Sequence, residues 1–214
     1  MKKTLLIVAL CVATLFVKAQ NQHHFSMSIG YGYMLSDIEN TTPFANYANE
    51  SHQRRMHNGI NYELDYDWGF HQNFSLGAVF SMYNAFDSYY PNSSANETRS
   101  DDIYIFYVGP SFLAHTDWIK EHWNLYARAT VGYMNFRNAM RGTANLTFKR
   151  PTFGYGIEAG CEYLLSKYFS LVGQVSYMGG SVSKVKDGAD NKYELGDSEN
   201  ISRLNISLGV KVKL

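Results

Sequence analysis

The chain has 214 residues, with 19 basic residues balanced by 19 acidic ones, 33 aromatic residues (17 Tyr, 13 Phe, 3 Trp) and only four prolines. The absence of any basic tract argues against a nucleic-acid partner. Beyond the N-terminal leader described next, no stretch of 18 or more residues is apolar, so any passage through a membrane has to be made by strands.

The first 19 residues read as an export signal. Lys2 and Lys3 are followed by an apolar run from Thr4 to Val17, and Val17-Lys18-Ala19 supplies small or apolar residues at the −3 and −1 positions of a cleavage site before Gln20. A lipoprotein alternative would acylate Cys11, but Leu10 stands where a small residue is expected. Three basic residues lie in this leader, which leaves residues 20–214 three charges acidic, with Cys161 as their sole cysteine and hence no internal disulfide.

Residues 20–214 alternate with period 2 over eight segments, the pattern of strands with two unlike faces. In the first, Phe25, Met27, Ile29, Tyr31, Tyr33 and Leu35 oppose Ser26, Ser28, Gly30 and Gly32. In the second, Ile60, Tyr62, Leu64, Tyr66, Trp68 and Phe70 oppose Asn61, Glu63, Asp65, Asp67 and Gly69. The third sets Phe74, Leu76, Ala78, Phe80 and Met82 against Ser75, Gly77 and Ser81. The fourth has Tyr104, Phe106, Val108, Pro110 and Phe112 in one row. The fifth (Leu125–Tyr133), sixth (Phe153–Leu165), seventh (Phe169–Tyr177) and eighth (Leu204–Leu214) repeat the alternation.

Each segment runs about 10 to 14 residues, whereas a tilted strand needs roughly 9–11 to cross a bilayer and soluble strands are nearer 5–6. The connections alternate short (71–73, 116–121, 166–168) and long (36–56, 87–102, 137–151, 184–200), the asymmetry of bacterial outer-membrane barrels. Aromatic residues gather at both ends. Trp68, Phe70, Phe74, Trp118, Trp123, Tyr168 and Phe169 lie near the short turns; Tyr33, Phe86, Tyr89, Tyr90, Tyr104 and Phe136 lie near the long loops. Two such belts are what membrane interfaces select. The expectation is an all-β fold: an eight-stranded antiparallel up-and-down transmembrane barrel over residues 20–214.

At eight strands the interior has room only for side chains. The inward rows read as small or polar, with Glu63, Asp65, Asp67, Glu158 and Glu162 facing Arg128, Arg203 and Lys211, so a plugged lumen is expected. Pro110 cannot donate to a ladder, which predicts a bulge or local irregularity.

The phrases "YVGPSF" (107–112), "GYGIEAGCEYLLSKYFSL" (154–171) and "LNISLGVKVKL" (204–214) resemble strands of the small outer-membrane β-barrel families, the OmpA/OmpX-type barrel domain. The resemblance covers the chain after the leader and implies a barrel in the outer membrane. It departs at Leu214, where many such barrels end in an aromatic residue. With no peptidoglycan-binding segment in view, the anchoring role of longer relatives is not implied.

Among function classes, the sequence favours a non-enzymatic barrel serving envelope integrity or surface interaction. Its expected partners are outer-membrane lipid and an extracellular ligand reached through 36–56, 87–102, 137–151 and 184–200. A narrow porin-like channel is the alternative, followed by a lipid A-modifying enzyme. A catalytic site would need a nucleophile, a base and an orienting group together, and no His-x-Ser arrangement lies on an outward row near the outer rim. His71, His115 and His122 fall at short turns, while His23-His24 and the pair His52/His57 read as flexible surface histidines. No cysteine or carboxylate set completes a tetrahedral metal site around them, and no cofactor is expected.

Overall fold

The structure, a computed structural model, describes residues 22–35, 50–90, 99–117, 119, 122–141, 146–186 and 192–214. The expected cleavage site and Trp118 lie outside these. The strands are β1 (Gln22–Met34), β2 (Asn58–His71), β3 (Phe74–Tyr89), β4 (Arg99–His115), β5 (Trp123–Arg141), β6 (Leu146–Leu164), β7 (Phe169–Lys186), β8 (Lys192–Asn200) and β9 (Arg203–Lys213), with one helix, α1 (Glu50–Met56).

Neighbouring strands pair antiparallel in sequence order from β1 to β7; β7 then pairs with β9 and β9 with β1, which closes the sheet. Closure removes the edges that lipid could not hydrate. β8 pairs only with the outer end of β7, so β8 and β9 are two halves of one stave, interrupted at Ile201-Ser202. Both of these residues are buried, so the interruption breaks the alternation and turns Ile201 into the lumen. The barrel therefore has eight staves, as the sequence requires.

Burial follows the period-2 pattern. Outward residues such as Met27, Ile29, Leu64, Val131, Ile157, Ile206 and Leu208 are exposed on the outer wall, a reversal of the soluble arrangement that only a lipid solvent accommodates. The outer connections are shorter than the sequence suggests. Strand pairing occupies 87–89, 99–102, 137–141, 146–151, 184–186 and 192–200, and residues 50–56 are helical. Polar residues beyond the apolar band still satisfy their backbone by pairing in hairpins that rise out of the lipid. Hydropathy alone reads such stretches as loop.

At Pro110 the irregularity is a gap and not a bulge: the β4–β5 ladder skips Gly109 and Pro110, yet Val108↔Tyr133 and Ser111↔Thr130 stand in one register, and the Thr130 hydroxyl donates to the Pro110 carbonyl at 2.8 Å. The bulges fall elsewhere, between Gly69 and His71, Lys149 and Gly154, and Val182 and Lys184.

Inside, the expectation of small or polar rows fits the half nearer the short turns better, although Leu113, Tyr126 and Val172 form a small buried apolar cluster there. The outer half is apolar: Met34, Val79, Tyr83, Ile103, Ile105, Tyr107 and Met134 point inward and form one buried cluster with Met56 of α1. Tyr89 and Phe136, expected in the outer aromatic belt, are inward and buried too. Tyr83 reaches across to β1 and β2 because Gly32 and Gly59 leave room; a Cβ on either would sit 2.8 or 2.6 Å from its ring.

Candidate functional site

In the lumen and its outer mouth, titratable side chains converge from several strands. Nearest the short turns, Lys211 Nζ lies 3.1 Å and Lys213 Nζ 2.6 Å from the two oxygens of Glu162. One layer further in, Arg128 gathers three carboxylates: Asp65 at 2.9 Å, Asp67 at 2.8 Å and Glu158 at 3.3 Å. Register explains the convergence. Arg128 and Glu158 are direct partners on β5 and β6, while Asp65 and Asp67 are successive inward positions of β2 that reach Arg128 across the lumen. Ser26, opposite Asp65 on β1, donates to it at 3.0 Å. Gln174 donates to Glu63 at 2.5 Å and accepts from the Tyr126 hydroxyl at 2.9 Å. Charges this deeply buried persist only with such partners.

The pairing expected from sequence is met by Arg128 and Lys211 and not by Arg203. Arg203 is fully buried at the boundary between the polar and apolar halves. Its Nη2 donates to Ser81 at 3.0 Å and its guanidinium lies 5.7 Å from the centre of the Tyr83 ring. Among the described residues no carboxylate reaches ion-pair distance of it, and its Nε and Nη1, with Glu63 Oε2 and Asn61 Nδ2, are buried without a protein partner.

Above the apolar cluster, α1 packs at the outer mouth against β2 and β3. His52 is 2% exposed, so it is not a surface histidine. Its Nδ1 lies 2.7 Å from Asp87 Oδ2 and its Nε2 2.9 Å from Asp101 Oδ2, and its ring centre is 3.9 Å from that of Tyr89. Both ring nitrogens face carboxylate oxygens, so the ring ties α1 to β3 and β4 together. Arg55 Nε holds the other Asp87 oxygen at 2.7 Å, and that hydrogen bond raises the guanidinium pKa above its ordinary value. Met56 hangs beneath the helix into the apolar cluster. His57 Nδ1 instead contacts the Met34 carbonyl oxygen at 2.8 Å, so His52 and His57 do not share a site.

Sequence reasoning missed the cap and the apolar collar. The collar had a signal: Ile103-Tyr104-Ile105-Phe106-Tyr107-Val108 is apolar on both faces, the mark of a strand buried on both sides. The cap had none, because α1 is a single short polar stretch whose position depends on carboxylates 35 and 49 residues away. Among the described residues no group of three or more His, Cys, Asp or Glu side chains is placed to hold a metal ion.

The closed barrel resembles several solved structures in fold. Neisserial surface protein A superposes with a TM-score of 0.56 at 13% identity, over 90% of this chain and 97% of that one. Ail, the attachment invasion locus protein of Yersinia pestis, solved with the heparin analogue sucrose octasulfate, superposes with a TM-score of 0.51 at 14% identity, over 92% of this chain and all of that one. In sequence, 131 residues are 25% identical to the immunoglobulin A1 protease autotransporter of Haemophilus influenzae. That match takes in 61% of this chain and only 6% of the autotransporter's length. The profile of the outer membrane protein beta-barrel domain matches residues 5–213. The chain belongs to the outer membrane protein beta-barrel domain family and is a protein of the outer membrane.

Proposed function

We propose that this protein is a non-enzymatic, plugged outer-membrane barrel that supports envelope integrity and presents its outer hairpins to the surroundings. The observation that carries the reading is the filled lumen: ion pairs centred on Arg128 below, the collar of Ile103, Ile105 and Tyr107 above, and α1 over the mouth. Such a barrel leaves its outer segments, 87–102, 137–151, 184–200 and the cap region 36–56, as the surface available to a ligand. Extracellular segments on a rigid scaffold are where binding residues concentrate.

The test is a deletion strain complemented with the wild-type chain or with chains shortened in one outer hairpin at a time. Restored resistance to detergent by all of them supports an envelope role. Loss of cell-surface attachment on shortening one hairpin supports the interaction role. Full complementation by an empty vector in both assays would remove the reading. A narrow channel is the second reading, favoured by the unpartnered polar groups around Arg203 and Glu63, which carry a polar path from the short-turn side up to the collar.

A further inference from the structure

At the outer rim two acids are set against each other. Asp87 on β3 stands directly opposite Asp101 on β4, and both side chains are largely buried. Like charges placed directly opposite on a sheet repel. The groups that settle this pair come from α1. His52 reaches both carboxylates, at 2.7 and 2.9 Å, and Arg55 holds the second oxygen of Asp87 at 2.7 Å.

Height puts this clasp outside the lipid. Ten residues of strand at ~3.3 Å each, tilted ~40°, span the roughly 25 Å apolar band of such barrels. β3 starts at Phe74 and β4 ends at His115, so Asp87 and Asp101 stand beyond that band, where water exchanges protons with the rim.

The geometry needs a fixed number of protons. Each of the two N···O contacts requires a proton between its atoms, whereas a neutral imidazole carries a single N–H. Burial pushes the Asp87 carboxyl up, but the hydrogen bonds from Arg55 and His52 outweigh it and hold the group below its ordinary value. The second proton of the clasp therefore lies on the ring or on Asp101. When solvent takes it, a ring lone pair faces a carboxylate oxygen and one contact turns repulsive. The other groups around the ring do not replace it. Tyr89, whose ring centre is 3.9 Å away, is pushed above its ordinary value by burial and then by the charge of Asp101, so it stays neutral, and its hydroxyl is a partner of Arg99 on β4. His57, just before β2, is turned to the Met34 carbonyl. Arg55 keeps its hold on Asp87, but it is half exposed, and an exposed ion pair holds a helix weakly.

We propose that α1 is a pH-released cap, docked while both His52 contacts hold a proton and freed as rising pH removes one. The docked helix binds one proton more than the freed helix, so by linkage docking weakens as the pH rises. On the acid side the sign is opposite: the Asp87 contact is lost only as the pH falls through that group's lowered value. Release lifts Met56, buried beneath the helix, out of the apolar collar.

The test places a thiol beneath the helix (Met56→Cys, with Cys161→Ser) in the full-length barrel folded in a neutral maltoside detergent. Its rate of maleimide labelling is divided at each pH by that of a thiol at the exposed position 54 (Arg54→Cys), which cancels the pH dependence of the labelling chemistry. From about pH 5 to about pH 8, the range in which a histidine changes charge, protection of position 56 should fall. The expected fall is about tenfold, the equivalent of one lost hydrogen bond. Asp101→Asn offers the ring an amide N–H that does not titrate, so protection should be kept across the whole range. In the chain with Met56 intact, tryptic cleavage after Arg54 or Arg55, taken relative to an unstructured peptide at the same pH, should rise in step. Unshifted heat-modifiable migration shows that each variant folds. Equal protection at both ends of the range would overturn the proposal, as would a fall that persists in Asp101→Asn.

Discussion

Nδ1 of His52 lies 2.7 Å from Oδ2 of Asp87, a contact that reaches across 35 residues of sequence and fastens the helix of the first outer connection to the rim of β3. Asp101 on β4, the direct cross-strand partner of Asp87, takes the other ring nitrogen, so one side chain ties the helix to two neighbouring staves. The cap is held by few groups, and its seven residues are too short to be stable as an isolated helix. His52→Phe keeps an aromatic ring beside Tyr89 and removes both ring nitrogens. It should cost the cap about 1–3 kcal/mol, the penalty for leaving buried acceptors unpaired. Limited proteolysis in detergent should then cut at Arg54 or Arg55 many times faster, while heat-modifiable migration of the barrel stays as in wild type. An unchanged digestion rate would show that the cap does not depend on this clasp.

Arg128 occupies the opposite situation, rigid and central. Three carboxylates from β2 and β6 share its guanidinium, and all four side chains are almost fully buried. Arg128→Met leaves that acidic cluster with no cation on it. The expected loss is about 3–5 kcal/mol, the cost of breaking a buried ion network from one side. It is read as a lowered urea midpoint for unfolding in lipid vesicles. Adding Asp65→Asn and Asp67→Asn should recover a large part of the loss, because two of the stranded charges go with them. A midpoint unmoved by Arg128→Met would show that the network contributes nothing to the closed barrel.

How far these features could be read in advance follows from the distance over which each is determined. The faces of β2 are set by local alternation, and every residue assigned outward from Ile60 to Phe70 lies on the lipid side. The pairing of Arg128 with Glu158 needs only the register of one hairpin, and it was legible. Arg203 was assigned to a carboxylate because inward cations and inward acids look interchangeable in a sequence. Its position along β9 instead sets it beside Ser81 and Tyr83, above the acidic layer. His52 was read as a surface histidine because nothing within ten residues of it reveals Asp87 or Asp101. Val79 broke the polar inward row of β3 in plain view. Together with the two-faced apolar run of β4, it marked the collar.

The outer wall makes a depth-dependent prediction. Val131 is an outward residue near the middle of the apolar part of β5, and Asn135 lies beyond Tyr133 toward the outer surface. Val131→Arg should destabilise the barrel by about 2–4 kcal/mol and Asn135→Arg by about 0–1 kcal/mol, since the cost of a cation on the lipid face falls toward the interface. Urea titrations of both variants in the same vesicles measure the difference. Equal costs at the two positions would mean that the bilayer is not centred on the wall between Trp123 and Tyr133.

Two barriers lie in series along the axis, and they differ in kind. The polar half is crowded with ion pairs around Arg128 and Glu162, and its side chains block the way sterically. The apolar half, where Ile105, Tyr107 and Met134 are fully buried, offers water few partners and should exclude it by dewetting. The cap adds a third obstruction but sits outside the second, so loosening it alone cannot open a path. The wild-type barrel should show no steady current in planar bilayers, and His52→Phe should remain silent as well. Ile105→Ala with Met134→Ala in the His52→Phe background removes both upper obstructions and should give brief, small openings. Steady ohmic steps from the wild-type barrel would contradict the plugged reading directly. Openings in His52→Phe alone would move the barrier from the collar to the cap.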